Sequence, residues 1–413
     1  MRRALPVGLV VLLLALAGGG VLLAVNESPP TPATRAPLPG TVLLRGDTVA
    51  VVDHLGPKSF VHPGPFATGE TTLHLKSDGA PVELWYPATR ASVKGRRYGT
   101  YNLANWLPPA LINHLPPGES VTFPSGGVRG VAVARGRYPL VVFCHGFAGF
   151  RDQSTFLTSR LASWGFVVAA PDLLDYDLTA VLSGKAAPSS PVDIAEVEST
   201  ISLMSHEDSK GSGTGSGTGR GRFVGRLDMH RIAVIGHSLG GSLAEQVAAV
   251  DPQVRTFIGM AGASVGALAP RSTSRSGNVP DKPGLLMVGT ADHVVRPQMI
   301  VDAFYDMVAP KRLVMLRGAG HLAFSDICEL GAGRGGLLGV AASAHITIPA
   351  QLAALASDGC QPGDLPIRVG WELIRQVVTA QLRYALGFDH SQAGLTGLSR
   401  AFPRVVALNS FVR

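Results

Sequence analysis

The chain has 413 residues, of which 46% are hydrophobic and 16% are charged, and its formal net charge is +7. This composition is sufficient for a buried core, so most of the chain should be globular, as one large domain or two ordinary ones. The Lys and Arg residues are scattered, with no dense basic run outside 95–97, and the charge pattern therefore does not indicate a nucleic-acid-binding surface.

The chain begins with a long apolar segment. Arg2 and Arg3 precede 22 uncharged residues, 4–25, which are mainly Leu, Val, Ala and Gly. This length fits a cleavable signal peptide or an uncleaved membrane anchor over residues 1–25. In both cases the positive-inside rule predicts that the rest of the chain lies outside the cytoplasm, either secreted or attached to the membrane. A linker and poorly defined lead-in follow over 26–59, where five prolines between Asn26 and Gly40 favour an extended, semi-rigid tether.

A single folded domain is expected over residues 60–413, interrupted by three segments of different composition. Residues 209–221 form a Gly/Ser/Thr run, which we interpret as a flexible surface loop because apolar strands of the same type lie on both sides of it. A linker between two domains is the alternative. Residues 98–117 and 331–356 are less repetitive, and each is a candidate for a lid or a wall of a substrate cleft.

Strand and helix patterns alternate along this domain. Residues 71–75 and 82–87 flank the turn signal Ser77-Asp78-Gly79 and predict an opening antiparallel hairpin. The alternation that follows is typical of a parallel sheet, and the nearly continuous apolar strands predict helices on both of its faces. The predicted strands are 138–143, 166–170, 231–235, 254–260, 284–288 and 311–316, and the predicted helices are 154–164, 193–204, 298–307 and 371–386.

The most informative motif is Gly236-His237-Ser238-Leu239-Gly240, which lies between an apolar strand and the helix-like segment 242–249. A sharp strand-to-helix turn strains the backbone of its central residue and needs small neighbours so that strand and helix can pass closely. This is the arrangement of a nucleophile elbow, which would expose the Ser238 hydroxyl at the end of the strand. A glycine-rich turn without function is the alternative.

A serine nucleophile needs a histidine to take its proton and a carboxylate to orient that histidine. On this fold the acid and then the histidine are expected after the serine. His321 lies in a glycine-rich loop directly after the strand 311–316 and is the predicted base. Asp292 follows the preceding strand, 54 residues after Ser238 and 29 before His321, and is the predicted acid, with a solvated loop aspartate as the alternative. Its competitors lie in a predicted helix or after the histidine, and they are Asp302, Asp306 and Asp326.

The reaction intermediate also needs two backbone N–H groups aimed at its oxyanion. The N–H of Leu239 is one predicted donor, and that of Phe147, in the loop after the strand 138–143, is the other. His145 in this loop is expected to stabilise it rather than to act as a base. No carboxylate or cysteine spacing around His145 and His237 matches a zinc site, so neither a metal nor a cofactor is predicted.

Three cysteines in an exported chain favour one disulfide and one remaining thiol. Cys144 lies in an apolar strand, where a lone cysteine usually behaves as a small buried hydrophobe. Cys328 and Cys360, 32 positions apart, are therefore the predicted pair. Two unpaired buried thiols are the alternative.

Together these segments resemble the α/β-hydrolase superfamily, and in particular secreted platelet-activating-factor acetylhydrolases, dienelactone-hydrolase-like esterases and bacterial polyester hydrolases. The likeness covers about residues 60–388 and implies ester hydrolysis through an acyl-enzyme. Dienelactone hydrolases proper use a cysteine nucleophile where this chain has Ser238, so lactone specificity is not implied. The motifs that carry the resemblance are Gly64-Pro65-Phe66, Tyr86-Pro87, His145-Gly146-Phe147, the elbow with Gly241, Gly289-Thr290-Ala291-Asp292 and the segment from Gly320 to Cys328.

The sequence therefore predicts an α/β-hydrolase fold, with a mostly parallel central sheet, helices on both faces and an N-terminal antiparallel hairpin. The expected function is an exported serine esterase or lipase that acts on small-molecule or lipid esters of modest size, with membrane or cell-envelope association through the N-terminus. A polyester or cutin hydrolase of the same fold is one alternative, and a non-catalytic cell-envelope binding protein is another.

Overall fold

The structure is a computed structural model that describes residues 42–43, 51–52, 54–112, 121–209, 221–263, 280–343 and 345–413. The predicted signal peptide or anchor, the proline-rich tether and residues 210–220 of the predicted flexible loop lie outside the described residues. Among the helices that are described, none has the length and apolar character needed to cross a membrane.

The helices and strands begin and end as follows. The strands are β1 (Val42–Leu43), β2 (Val51–Val52), β3 (Ala67–His74), β4 (Pro81–Ala88), β5 (Thr100–Asn102), β6 (Thr122–Pro124), β7 (Val128–Arg129), β8 (Tyr138–Cys144), β9 (Val167–Pro171), β10 (Leu227–His237), β11 (Val254–Met260), β12 (Gly284–Gly289), β13 (Lys311–Leu316) and β14 (Val406–Val412). The α-helices are α1 (Arg90–Val93), α2 (Pro109–Ile112), α3 (Thr155–Ser163), α4 (Leu178–Leu182), α5 (Ser190–Ser209), α6 (Leu239–Val250), α7 (Pro297–Asp306), α8 (Gly336–Ser343), α9 (Ala350–Leu355), α10 (Ile367–Ala385) and α11 (Leu398–Ala401).

Within the described residues, a ten-stranded mixed sheet has the order β14-β13-β12-β11-β10-β8-β9-β4-β3-β7. The strands from β9 to β13 in this order are parallel, whereas β3 and β4 form the predicted antiparallel hairpin and β4 also lies antiparallel to β9. The carboxyl ends of the parallel strands therefore meet at one edge, where open α/β sheets bind their ligands.

Two apolar cores cover the two faces of this sheet. In β8, Val141 and Phe143 contribute to one core together with residues of α3 and α10. Leu140, Val142 and Cys144 contribute to the other core together with residues of α5, α6 and α7. Burial on both faces explains why β8 is apolar at every position, as the sequence pattern indicated.

The observed fold agrees with the predicted class, and the differences lie at its margins. The hairpin and the predicted parallel strands are present with ends that shift by a few residues. The edge strand β14, which pairs antiparallel with β13, was not expected from the sequence. Only Val406 of β14 is buried, so this strand lacks the apolar run by which the other strands were recognised.

Candidate active site

Ser238 occupies the sharp turn between β10 and α6. Its backbone has φ 57° and ψ −123°, a region that non-glycine residues rarely adopt and that indicates a strained turn. A Cβ atom on Gly236 would lie 2.2 Å from the carbonyl oxygen of Gly240, and one on Gly240 would lie 2.2 Å from that of Cys144. The two glycines are therefore required by the close passage of strand and helix, as expected for an elbow.

The structure brings together the three residues that the sequence nominated as nucleophile, base and acid. Nε2 of His321 lies 2.9 Å from Oγ of Ser238, and Nδ1 of His321 lies 3.0 Å from Oδ2 of Asp292. Since a carboxylate only accepts hydrogen bonds, Nδ1 of His321 carries the proton, and Nε2 is left to accept the proton of the Ser238 hydroxyl.

Asp292 is held in place by its own loop. Its Oδ1 accepts hydrogen bonds from the N–H groups of Val294 and Val295, at 3.0 and 2.8 Å. Its side chain is completely buried, so the hydrogen bond to His321 is shielded from water. The carboxylate therefore keeps one oxygen free to orient the imidazole.

The competing aspartates have other roles. Asp302 and Asp306 lie on α7, as predicted. Asp326 is buried at the start of α3, where it accepts hydrogen bonds from the N–H groups of Thr155 and Phe156. Burial raises the pKa of Asp326 to about 7 despite these hydrogen bonds. Its contacts are those of a helix cap and not of an acid that orients His321.

The two other histidines near Ser238 are buried and serve as structural supports. Burial lowers the pKa of His237 well below its usual value, with a further contribution from His321, and burial also lowers the pKa of His145. Nε2 of His237 donates to the carbonyl oxygen of His321 at 3.0 Å, and its Nδ1 accepts from Nε2 of Gln153 at 3.1 Å. Nε2 of His145 accepts from the N–H of Leu173 at 2.9 Å, which fits the predicted loop-stabilising role.

The predicted oxyanion donors both lie beside Ser238. Leu239 is the first residue of α6, so its N–H has no acceptor one turn earlier in the helix. Phe147 lines the same pocket as Ser238, and its N–H has no backbone acceptor in the described part of the chain. Within the described residues, neither N–H group therefore has a competing backbone partner.

Ser238 and His321 lie in a predominantly apolar pocket, with about 940 Å³ of atom-free space including its open mouth. Its polar contributors are Gln153, His237, Ser238 and His321, and among the described residues its wall carries no Asp, Glu, Lys or Arg side chain. A binding site of this kind accepts an uncharged, largely hydrocarbon group next to the nucleophile.

Both segments that the sequence proposed as a lid or wall line this pocket. The segment 98–117 contributes Leu103, Ala104 and Leu107, and the segment 331–356 contributes many aliphatic side chains, including Leu337, Leu338, Val340, Ile346, Ile348 and Leu352. In the described residues these two segments therefore supply much of the pocket wall.

The first of these wall segments is fixed by Trp106. Its Nε1 donates to both carboxylate oxygens of Asp172, at 3.0 and 2.9 Å, and its ring packs 4.6 Å from that of Phe150. Arg151 forms an ion pair with the same carboxylate and lies over the Trp106 ring at 4.5 Å. The segment is thereby tied to the loop that follows Phe147.

The second wall segment is closed by the disulfide Cys328–Cys360, which the sequence had predicted, and Cys144 is the buried free thiol. Two supporting residues were not expected from the sequence: Gln153 binds His237, and Asp358 binds the backbone of His321. Gln153 belongs to no recognisable motif, whereas Asp358 lies two residues before a predicted disulfide cysteine, and this proximity was the one available signal.

Among the described residues, no His, Cys, Asp and Glu side chains are grouped as a metal site.

The mixed sheet and the strained turn at Ser238 between β10 and α6 have the arrangement of the α/β-hydrolase fold. Residues 128–327 match the model of the dienelactone hydrolase family. The structure is similar to that of a ferulic acid esterase from Streptomyces cinnamoneus, with a TM-score of 0.56 and 22% identity over 84% of this chain and 96% of that one. The chain is also 22% identical over 233 residues to the platelet-activating factor acetylhydrolase of Cavia porcellus. The aligned part covers 46% of this chain and 49% of that protein.

The chain thus spans about half the length of the curated relative it matches. These findings show an α/β-hydrolase fold and a similarity of segment 128–327 to the dienelactone hydrolase family.

Proposed function

We propose that the protein is a serine esterase that hydrolyses carboxylic esters with an apolar acyl or alcohol group. The observation that carries the proposal is the series of hydrogen bonds from Ser238 through His321 to Asp292. Ser238 and His321 at one end of this series line a predominantly apolar pocket. The esterase and acetylhydrolase among the similar proteins support the same class of reaction.

The geometry supports an acyl-enzyme mechanism. His321 takes the proton of Ser238 through Nε2 while Oγ attacks the ester carbonyl, and Asp292 stabilises the imidazolium that forms. The N–H groups of Phe147 and Leu239 would hold the oxyanion of the tetrahedral intermediate. His321 then gives the proton to the departing alcohol, and a water molecule activated in the same way releases the acid.

The two wall segments favour soluble esters or single lipid molecules over a polymer. A polyester or cutin chain needs a cleft that is open along its length, whereas Leu103 and Leu338 come from segments that wall the pocket beside Ser238. We expect hydrolysis of dispersed nitrophenyl esters to exceed that of a polyester film under the same conditions.

The N-terminal segment 1–25 supports a location outside the cytoplasm, and a structural disulfide is typical of such compartments. We therefore propose an exported enzyme that is secreted or anchored to the membrane. The test is to express the full chain in cells, add a protease to the intact cells, and measure whether the protein is digested. Full protection of the protein in intact cells, with none in the culture medium, would contradict export.

Covalent labelling by a fluorophosphonate probe tests the activity directly. The wild type should be labelled and should hydrolyse nitrophenyl esters, whereas Ser238→Ala should lose both properties and His321→Ala should lose at least about 10³-fold in rate. Ser325→Ala is a matched control, because its buried hydroxyl donates to the carbonyl of Leu322 and belongs to no triad. A folded wild type without labelling would refute the proposal and favour a binding protein.

A further inference from the structure

Asp358 lies at the end of the disulfide-closed segment, two residues before Cys360. Its side chain is only 8% exposed, although it belongs to an insertion that is otherwise poor in charge. A nearly buried carboxylate is costly unless it is well hydrogen-bonded, so its partners indicate what it is there to hold.

Those partners belong to both loops that carry the predicted acid and base. Oδ1 of Asp358 accepts a hydrogen bond from the backbone N–H of His321 at 2.6 Å. Oδ2 accepts from the backbone N–H of His293, the neighbour of Asp292, at 3.2 Å, and lies 3.0 Å from Nδ1 of His293. The carbonyl oxygen of Asp358 also accepts from the N–H of Leu322 at 2.9 Å. One residue therefore joins the two loops.

The local backbone leaves Asp358 little freedom. Its N–H donates to the carbonyl of Ala354 at 3.2 Å. A Cβ atom on Gly320 would lie 2.4 Å from the backbone nitrogen of Gly359, so the loop before His321 and the end of the insertion are in direct contact. The disulfide fixes the chain at Cys360, two residues beyond Asp358. The position of the carboxylate is thus determined from both sides.

We propose that Asp358 is a positioning residue, which aligns Asp292 with His321 and thereby makes the reactivity of Ser238 depend on the disulfide-closed segment. The inference rests on the proposed esterase function. Asp292 and His321 follow different strands, so the distance between them depends on how the two loops are held together. Misplacement of catalytic groups by about 1 Å can reduce the rate by about 10²-fold.

The test compares Asp358→Ala and Asp358→Asn with the wild type in nitrophenyl butyrate hydrolysis and fluorophosphonate labelling. We expect Asp358→Ala to lower kcat about 10- to 100-fold with KM changed less than about 3-fold, because loop alignment affects the reacting groups more than the pocket wall. Asparagine keeps one oxygen for the N–H of His321 but loses the acceptor for His293, so its kcat should lie between those of alanine and the wild type.

Asp364→Asn is the matched control. This aspartate lies just beyond the same disulfide and accepts from the N–H of Gln361 at 2.8 Å within its own turn, and within the described residues its carboxylate makes no hydrogen bond to the loops of Asp292 and His321. Its kcat and KM should stay within about twofold of the wild type. Thermal unfolding measurements establish that each variant is folded. A count of free thiols establishes that its disulfide has formed.

The inference is overturned if folded Asp358→Ala has a kcat within twofold of the wild type, or if only KM rises. Where the alanine variant does not fold, Asp358→Asn decides, and an unchanged kcat overturns the inference. Wild type and Ser238→Ala in the same assay separate the two proposals. An inactive wild type refutes the esterase function, whereas an active wild type with an equally active Asp358→Ala refutes only the role of Asp358.

Discussion

Asp292 and His321 meet across the ends of two neighbouring parallel strands, with Oδ2 of Asp292 3.0 Å from Nδ1 of His321. The two residues are 29 positions apart in the sequence. The contact exists because β12 and β13 lie side by side, so the loops after them emerge at the same edge of the sheet. The same edge carries Ser238 after β10. The topology of the sheet thus assembles the three groups.

Replacement of Asp292 by asparagine should lower kcat about 10³- to 10⁴-fold with little change in KM. The amide keeps the shape of the side chain but no longer stabilises the imidazolium, and it can favour the wrong tautomer of His321. Steady-state kinetics with a short nitrophenyl ester measure the effect. Asp302→Asn on α7 is the control, since in the described residues its carboxylate accepts from the exposed side chain of Gln298 and makes no hydrogen bond to the triad. A loss smaller than tenfold in Asp292→Asn would assign the acid to another residue.

The sequence allowed these site residues to be nominated because the signals are local. Ser238, Asp292 and His321 each lie in the turn or loop that follows an apolar strand, and the order of the strands places the ends of these strands together. Asp358 and Gln153 could not be found in this way. Their roles depend on how an insertion and a loop pack against His321 and His237, and no local pattern encodes such packing. In the same way, the apolar run of β8 predicts a strand that is buried on both faces, whereas the half-exposed β14 carries no such run.

Replacement of Leu338 by tryptophan should shorten the acyl chain that the pocket accepts. Leu338 lines the pocket from α8, and a larger side chain there removes space that a long hydrocarbon group needs. We expect kcat/KM for a nitrophenyl decanoate to fall at least tenfold and that for the acetate to change less than about threefold. Val250→Trp at the exposed end of α6 is the control. Equal losses for both esters would show that the variant disturbs the catalytic groups instead of the pocket.

Loss of the disulfide should destabilise the fold and reduce activity together. By the chain-entropy model, a closed loop of 32 residues contributes about 3–4 kcal/mol to the free energy of unfolding. The double variant Cys328→Ser, Cys360→Ser should show this loss in urea denaturation, with lower kcat because Asp358 is no longer fixed. Reduced wild type should behave in the same way. The denatured, unreduced wild type should titrate one thiol, that of Cys144, and a count of three would contradict the disulfide.

Glu196 on α5 should make the protein less stable at alkaline pH. Burial, followed by the nearby charges of Asp78, Asp193 and Asp175, raises the pKa of Glu196 to about 8. The native state therefore binds a proton that the unfolded state has lost between about pH 4.5 and 8, and stability falls as the pH rises through this range. Glu196→Gln should leave stability unchanged at pH 4 and raise the free energy of unfolding by about 1–2 kcal/mol at pH 9. Glu198→Gln is the control because Glu198 is exposed on the same helix. Urea denaturation at both pH values measures the difference, and equal effects of the two substitutions at pH 9 would contradict a raised pKa at Glu196.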